Sequence, residues 1–225
     1  MYSILGIKYG GQFIFAALVA SIPAVLIALI CHEVAHAFAA LKAGDPSAKM
    51  AKRLSFNPAR HLDPFGFACF YIGFFGWAKP VPVNPFNYKN FRKGNFWVST
   101  AGIFTNLVLG IIFSLAFFFF NKYVTITTQA TFGNVALFGI GYFFRLGMLL
   151  NFCLMIFNLL PIPPLDGYNM LVSFTKPDNK FMQFMRRNAM YILVAVLIIS
   201  WFTGFIGILV NGIEGLFLRF WELLF

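Results

Sequence analysis

Residues Cys31 to Phe38 read C-H-E-V-A-H-A-F, and the rest of the chain serves to hold this octet in place. On an α-helix His32 and His36, four residues apart, leave from one face, so their imidazoles can share a divalent ion with Glu33 beside it. Two neutral imidazoles and a carboxylate, with a fourth position left to water, are the ligand set of a catalytic zinc, which brings that water to a pKa of about 7. The stretch from Phe13 to Ile30, which runs straight into the motif, is almost wholly apolar. The metal helix therefore reads as a membrane helix.

The rest of the chain has the same character. It has 225 residues, is 60% hydrophobic and 11% charged, and carries 32 Phe, far from an average soluble domain. Several apolar runs reach the roughly 20 residues that cross a bilayer core of about 30 Å. No second domain is visible, so residues 1–225 read as one transmembrane unit. A cleaved signal peptide is not expected, because the first apolar run contains the metal motif. The net charge of +10 lies in loops between apolar runs and follows the positive-inside bias, which makes a nucleic-acid partner a poor reading. Cys31, Cys69 and Cys153 lack metal or redox spacing and read as small packing residues.

Taken in order, the first span runs from about Gln12 to Leu41 and closes at Lys42, Gly44, Asp45 and Pro46. Ser21, Ala24, Ala28, His32, His36, Ala39 and Ala43 recur at steps of three or four, a face of small residues against which a second helix can lie closely. Pro23 reads either as a kink or as the mark of a later helix start. Lys42 to Gly94 holds nine of the 17 Lys and Arg residues and six prolines, of which Pro58, Pro64, Pro80, Pro82 and Pro85 act as breakers. Within it, Phe65 to Trp77 is too short to cross, so a re-entrant loop or a short β-hairpin near the site mouth is expected, followed by extended P-V-P-V-N-P. A second span, about Phe96 to Phe120, carries Asn106 between Gly102 and Gly110. The next apolar stretch, Val135 to Val172, is interrupted by N-L-L-P-I-P-P-L-D-G at Asn158 to Gly167, and unwound backbone at membrane depth marks a site. Met190 to Val210 forms a last span. In the tail, Ile213, Leu216, Phe217, Phe220, Trp221 and Leu224 make an apolar stripe opposite Glu214, Arg219 and Glu222: an interfacial amphipathic helix, a continuation of the span, or a helix packed on a neighbouring subunit.

Placing the Lys42 to Gly94 and Lys176 to Arg187 loops in the cytoplasm puts 13 basic residues inside and the N-terminus outside. At 1.5 Å per helical residue, His32 and His36 then lie roughly 9 to 15 Å below the cytoplasmic face. Asp166, ten residues from Lys176, and Asn106, ten from Phe96, fall at the same level. Of the seven carboxylates, only Glu33 and Asp166 are expected at membrane depth, which makes Asp166 the third metal ligand. His61 reads as a structural residue at the membrane surface bonded to backbone or Asp63, with a fourth metal ligand as the alternative, and Arg145 as an interfacial anchor rather than a catalytic group. Asn106 and Asn158 serve either as polar contacts between helices or as donors to substrate backbone or a developing oxyanion.

These motifs, together with G-D-P-S-A-K, F-N-P-A-R-H-L-D-P-F-G, F-G-W-A-K-P-V-P-V-N-P and A-G-I-F-T-N-L, resemble the site-2 protease family of intramembrane zinc metalloproteases, over about residues 20 to 175. The short bacterial branch, without PDZ or CBS domains, is the most similar. The resemblance implies hydrolysis of peptide bonds within or at the edge of membrane-spanning substrates, often after another protease has trimmed them. It assigns His32, His36 and Asp166 to zinc, Glu33 to general base, and Asn158 to the substrate carbonyl. Asn106 matches the family's A-G-P-x-x-N element, with Ile103 where Pro is usual.

The resulting expectation is an all-α polytopic membrane protein with about four to five transmembrane helices, a re-entrant or short β-hairpin segment, and a C-terminal amphipathic helix as an option. Its metal-binding spans are about 12–43 and 135–175. One Zn2+ per chain, single-span membrane-protein or signal-peptide substrates, and a bacterial inner membrane with the site nearer the cytoplasm complete the reading; a homo-oligomer is an open alternative. Two rival functions are a membrane zinc transporter, which needs a second polar site along a path, and a non-catalytic scaffold.

Overall fold

The computed structural model describes residues 10–73, 79–127, 129, 131–176 and 179–225. The described helices are α1 (Gly11–Ala43), α2 (Ser47–Met50), α3 (Pro64–Gly73), α4 (Phe91–Tyr123), α5 (Phe132–Leu159), α6 (Asp166–Val172), α7 (Lys180–Arg187), α8 (Ala189–Thr203) and α9 (Phe205–Leu224), with 3-10 turns at Pro58–Arg60 and Pro85–Asn87. No strand occurs among the described residues. The protein is an all-α polytopic membrane protein. Three helices, α1, α4 and α5, are long and apolar enough to cross a membrane, or four if α7 and α8, bent by 75°, count as one span. Four is the low end of the expected range, because α9 carries Glu214, Arg219 and Glu222.

The core is a three-helix cluster in which α1, α4 and α5 each pack on the other two. Its closeness comes from small residues. Ser21, Ala24, Ala28 and His32 of α1 are all buried, as the spacing of the His face predicts, and Gly110 and Gly147 lie under the rings of Phe152 and Phe113. In lipid, where no hydrophobic force drives helices together, such close backbone approach supplies the packing. Met148 and Phe152 of α5 are fully buried at its centre. Pro23 lies inside α1, which starts at Gly11, so the later helix start is not what this proline marks.

The sequence reading needs correction at the C-terminal end. The last span breaks at Gly204, where φ is 67°, and α9 folds back to pack on α5 and α4. Glu214, assigned to the polar face of a tail, is instead 4% exposed, and its Oε2 accepts from Arg145 at 2.6 Å. Trp221 donates to Ser114 of α4 at 2.9 Å. Arg145 is therefore an ion-pair partner rather than a surface anchor. Neutralising a carboxylate with a guanidinium is what allows it to leave the polar face.

The segment expected as a re-entrant loop or hairpin begins as α3, ten residues long and too short to cross; residues 74–78 lie outside the described residues. Of the P-V-P-V-N-P run, residues 80–84 are neither helix nor strand, Asn84 is extended (φ -119°, ψ 101°), and Pro85 opens a 3-10 turn. The run is tied to the end of α1 through Asp45, which is fully buried. The Asp45 carboxylate accepts from Asn84 N–H (2.6 Å), Asn87 Nδ2 (2.8 Å), Ser47 N–H (3.1 Å) and Ser47 Oγ (2.5 Å). Gly44, at φ 116°, makes this possible, since a side chain there would meet the Asn87 carbonyl at 3.0 Å. The adjacent Tyr88 phenol is pushed up to about 12 by burial and by the Asp45 charge.

Burial alone would raise the Asp45 pKa, but the hydrogen bonds from Asn84, Ser47 and Asn87 together outweigh it and hold it below 3.8. A depressed native pKa contributes stability above the unfolded value that is lost as pH falls through the native one. Asp45→Asn should therefore lower stability near pH 7 by about 1–3 kcal/mol, the usual cost of disturbing a buried bonded acceptor. The gap to wild type should narrow below pH 3.8 in thermal melts in detergent; a pH-independent gap would remove the charge from the account.

Candidate metal centre

His32 and His36 of α1 meet Asp166, the first residue of α6, under the backbone of α4. The two Nε2 atoms are 2.9 Å apart, and Asp166 Oδ2 is 3.3 Å from His32 Nε2 and 3.2 Å from His36 Nε2. A tetrahedral zinc with ligands at about 2.0–2.1 Å has ligand-to-ligand edges of roughly 3.3–3.4 Å. The observed triangle is one face of such a tetrahedron, drawn slightly tight along the His–His edge. It is the one group of three or more His, Cys, Asp and Glu ligands of this kind among the described residues.

The hydrogen bonds around the triangle show what it is built to hold. His32 Nδ1 contacts Asn106 Oδ1 at 2.5 Å and His36 Nδ1 contacts the Val98 carbonyl at 2.7 Å. Both partners are acceptors, so each Nδ1 carries the proton and each Nε2 turns a lone pair inward. Among the described residues, Asp166 Oδ2 is buried with no hydrogen-bond donor. Three electron-rich atoms this close repel one another unless a cation lies among them. The residues fit a divalent metal.

Each ligand is held from behind. Asn106, 0% exposed, donates through its amide to the Ala28 carbonyl at 3.2 Å and to Asn151 Oδ1 at 2.9 Å. Asn151 in turn donates to the Gly147 carbonyl at 2.8 Å. With both amide hydrogens and its oxygen engaged, Asn106 here orients His32 rather than facing outward to a substrate. Gly102 of α4 lies against both imidazoles, with no room for a Cβ. Asp166 is fixed through α6, where Gly167 packs on the Leu159 and Leu160 carbonyls. Asn95 of α4 donates to the Asn169 carbonyl (2.5 Å) and Ser173 Oγ (2.9 Å).

Glu33 lies on the neighbouring face of α1, half-buried, and its Oε2 accepts from the Val81 N–H at 2.8 Å. The chain around Val81 is itself pinned. Lys79 N–H donates to the His61 carbonyl at 2.8 Å, and the Arg53 guanidinium binds the Lys79 and Pro80 carbonyls. His61 is 1% exposed, contacts the Ser55 carbonyl at 2.6 Å, and is not among the metal-ligand candidates. Asn158, half-buried in the last turn of α5, donates to the Leu154 carbonyl at 3.1 Å. The sequence reading did not single out Val81, Arg53, Asn95 or Asn151; polar residues at membrane depth were the available signal for the last.

Outer hydrogen bonds of this kind typically change metal affinity 10–100-fold. Asn106→Ala should weaken metal binding by about that factor, and Asn151→Leu by less, because Asn106 keeps its Ala28 bond. Competition titration with a chromogenic chelator measures both. Equal affinities in all three proteins would show that the Asn106 contact does not hold His32.

A bundle of apolar helices that brings two histidines and an aspartate together in a group able to hold a metal ion, with a glutamate beside them, is the arrangement of a metal-dependent membrane protein. The chain belongs to peptidase family M50, the site-2 protease family, whose sequence profile matches residues 20–200. It is 36% identical over 175 residues to the putative zinc metalloprotease YwhC of Bacillus subtilis, covering 78% of each chain. It is 29% identical to the putative zinc metalloprotease Rip2 of Mycolicibacterium smegmatis, covering 96% of this chain and 84% of that one. No solved structure matches.

Proposed function

We propose that the protein is an intramembrane zinc endopeptidase cutting peptide bonds in the membrane segments of single-span proteins or signal peptides, with one zinc ion per chain. The observation that carries this reading is the triangle of His32, His36 and Asp166 inside the helix bundle, with Glu33 on the next face of the same helix. Bound zinc supplies Lewis acidity to a water and to the scissile carbonyl. Glu33 takes the proton of the attacking water and returns it to the leaving amine. Asn158 donates to the substrate carbonyl, and Asn106 and Val98 keep both imidazoles in the metal-binding tautomer. A substrate helix must first expose its backbone, and the non-helical run through Val81 is where a peptide can lie alongside.

The basic loops favour a cytoplasm-facing site in a bacterial inner membrane. A single ligand cluster among the described residues suits a hydrolase better than a transporter, which needs a succession of sites. Incubating the purified protein with a panel of single-span and signal-peptide substrates, with and without chelator, tests the proposal. Chelator-sensitive cleavage within the apolar segment is the expected result. Zinc uptake into proteoliposomes without cleavage would overturn it.

A further inference from the structure

Away from the metal, α1 and α4 border a groove made of two adjoining cavities that share Phe38 and Phe104. At its mouth a cavity of about 590 Å³ is lined by Lys42, Lys89 and Lys93, with Trp97, Phe38 and Phe104 among the apolar residues below them. Phe38 and Phe104 also line a second cavity of about 570 Å³, bounded by Cys31, Val34, Val108 and Leu109 of the two helices and by Leu54, Ser55 and Phe56 of the loop after α2. The three lysines are exposed, and Lys42 Nζ lies 4.6 Å from the centre of the Phe38 ring. Asp45, the neighbouring acid, is wholly engaged by Ser47, Asn84 and Asn87.

We propose that this groove is a binding site for one anionic phospholipid, its phosphate held by Lys42, Lys89 and Lys93 and one acyl chain lying between α1 and α4 as far as Cys31. The dimensions agree. From Lys42 to Cys31 a helix advances about 16 Å, which is the depth of one leaflet's hydrocarbon, about 15 Å. Cations and Asn90 ring the end at the bilayer surface, an interfacial Trp stands beside them, and the remaining lining is apolar apart from Ser55, Thr100 and Thr105. Basic pockets between membrane helices favour acidic headgroups. An acidic peptide would match the lysines but would leave the inner cavity uncovered.

The test is native mass spectrometry of the full chain in nanodiscs containing phosphatidylglycerol or phosphatidylcholine with identical acyl chains. Wild type should retain one phosphatidylglycerol in preference to phosphatidylcholine. K42Q/K89Q/K93Q should reduce that preference roughly a hundredfold, since each cation near an anionic surface contributes about a factor of five. A control, K49Q/K176Q/K180Q, removes the same charge elsewhere and should keep it. V108W should weaken retention of both lipids by filling the groove, with zinc content unchanged. Equal losses in the two triple variants would reduce the effect to general electrostatic attraction and overturn the proposal. So would glycerol phosphate, which lacks acyl chains, competing as well as the lipid, or V108W retaining phosphatidylglycerol as wild type does.

Discussion

Glu33→Gln retains its metal and loses proteolysis, the rate falling by roughly 10²–10⁴-fold, the range that positioned acid–base groups contribute. Gln keeps an oxygen that can accept the Val81 N–H now bonded to Glu33 at 2.8 Å, so the segment around Val81 stays where it is. What disappears is the ability to take a proton. Zinc content by atomic absorption should match wild type, and single-turnover cleavage separates the chemical step from substrate binding. Wild-type turnover in this variant would take Glu33 out of the mechanism.

Gly102→Ala should be nearly as damaging, through geometry alone. The added Cβ falls 2.5 and 2.7 Å from His32 Cε1 and Nδ1, and closer still to His36 Nε2. The imidazoles cannot simply turn aside, because Asn106 and Val98 hold their far nitrogens. Either the rings leave their hydrogen bonds or α4 moves off α1, and both outcomes spoil the triangle. Metal affinity should fall at least about 10–100-fold while the helical circular-dichroism spectrum is kept. Gly133→Ala, which meets nothing within 4 Å, is the matched control. Full zinc occupancy and normal cleavage in the Gly102 variant would show that the two helices are looser than their packing implies.

The contrast between these positions explains what could be read in the sequence. His32 and His36 were legible because four-residue spacing is a local property of a helix. Asp166 could be found by counting residues from the basic loops, since a bilayer imposes a common depth scale on distant segments. The face formed by Ser21, Ala24 and Ala28 was legible for the same local reason as the histidines. By contrast, the Val81 bond to Glu33 joins positions far apart through a backbone amide, which any residue but proline could provide. Glu214 was misplaced because an amphipathic pattern sorts residues by polarity alone. Its burial depends on Arg145 in another helix, and no single segment records such a pairing. The break at Gly204 was equally hidden, since a glycine in an apolar run becomes a bend only when the following helix has somewhere to dock.

Helix α8 has no buried residue, and Tyr191, Trp201 and Phe202 are 80%, 85% and 82% exposed. Its side chains are chosen by solubility in hydrocarbon more than by the shapes of neighbours. Exchange of one bulky apolar residue for another along it should therefore be tolerated where the same exchange in α5 is not. That freedom makes α8 the natural place for a spectroscopic reporter. A bromolipid quenching profile from Trp201 would locate the bilayer around the protein without disturbing the helices that carry its chemistry.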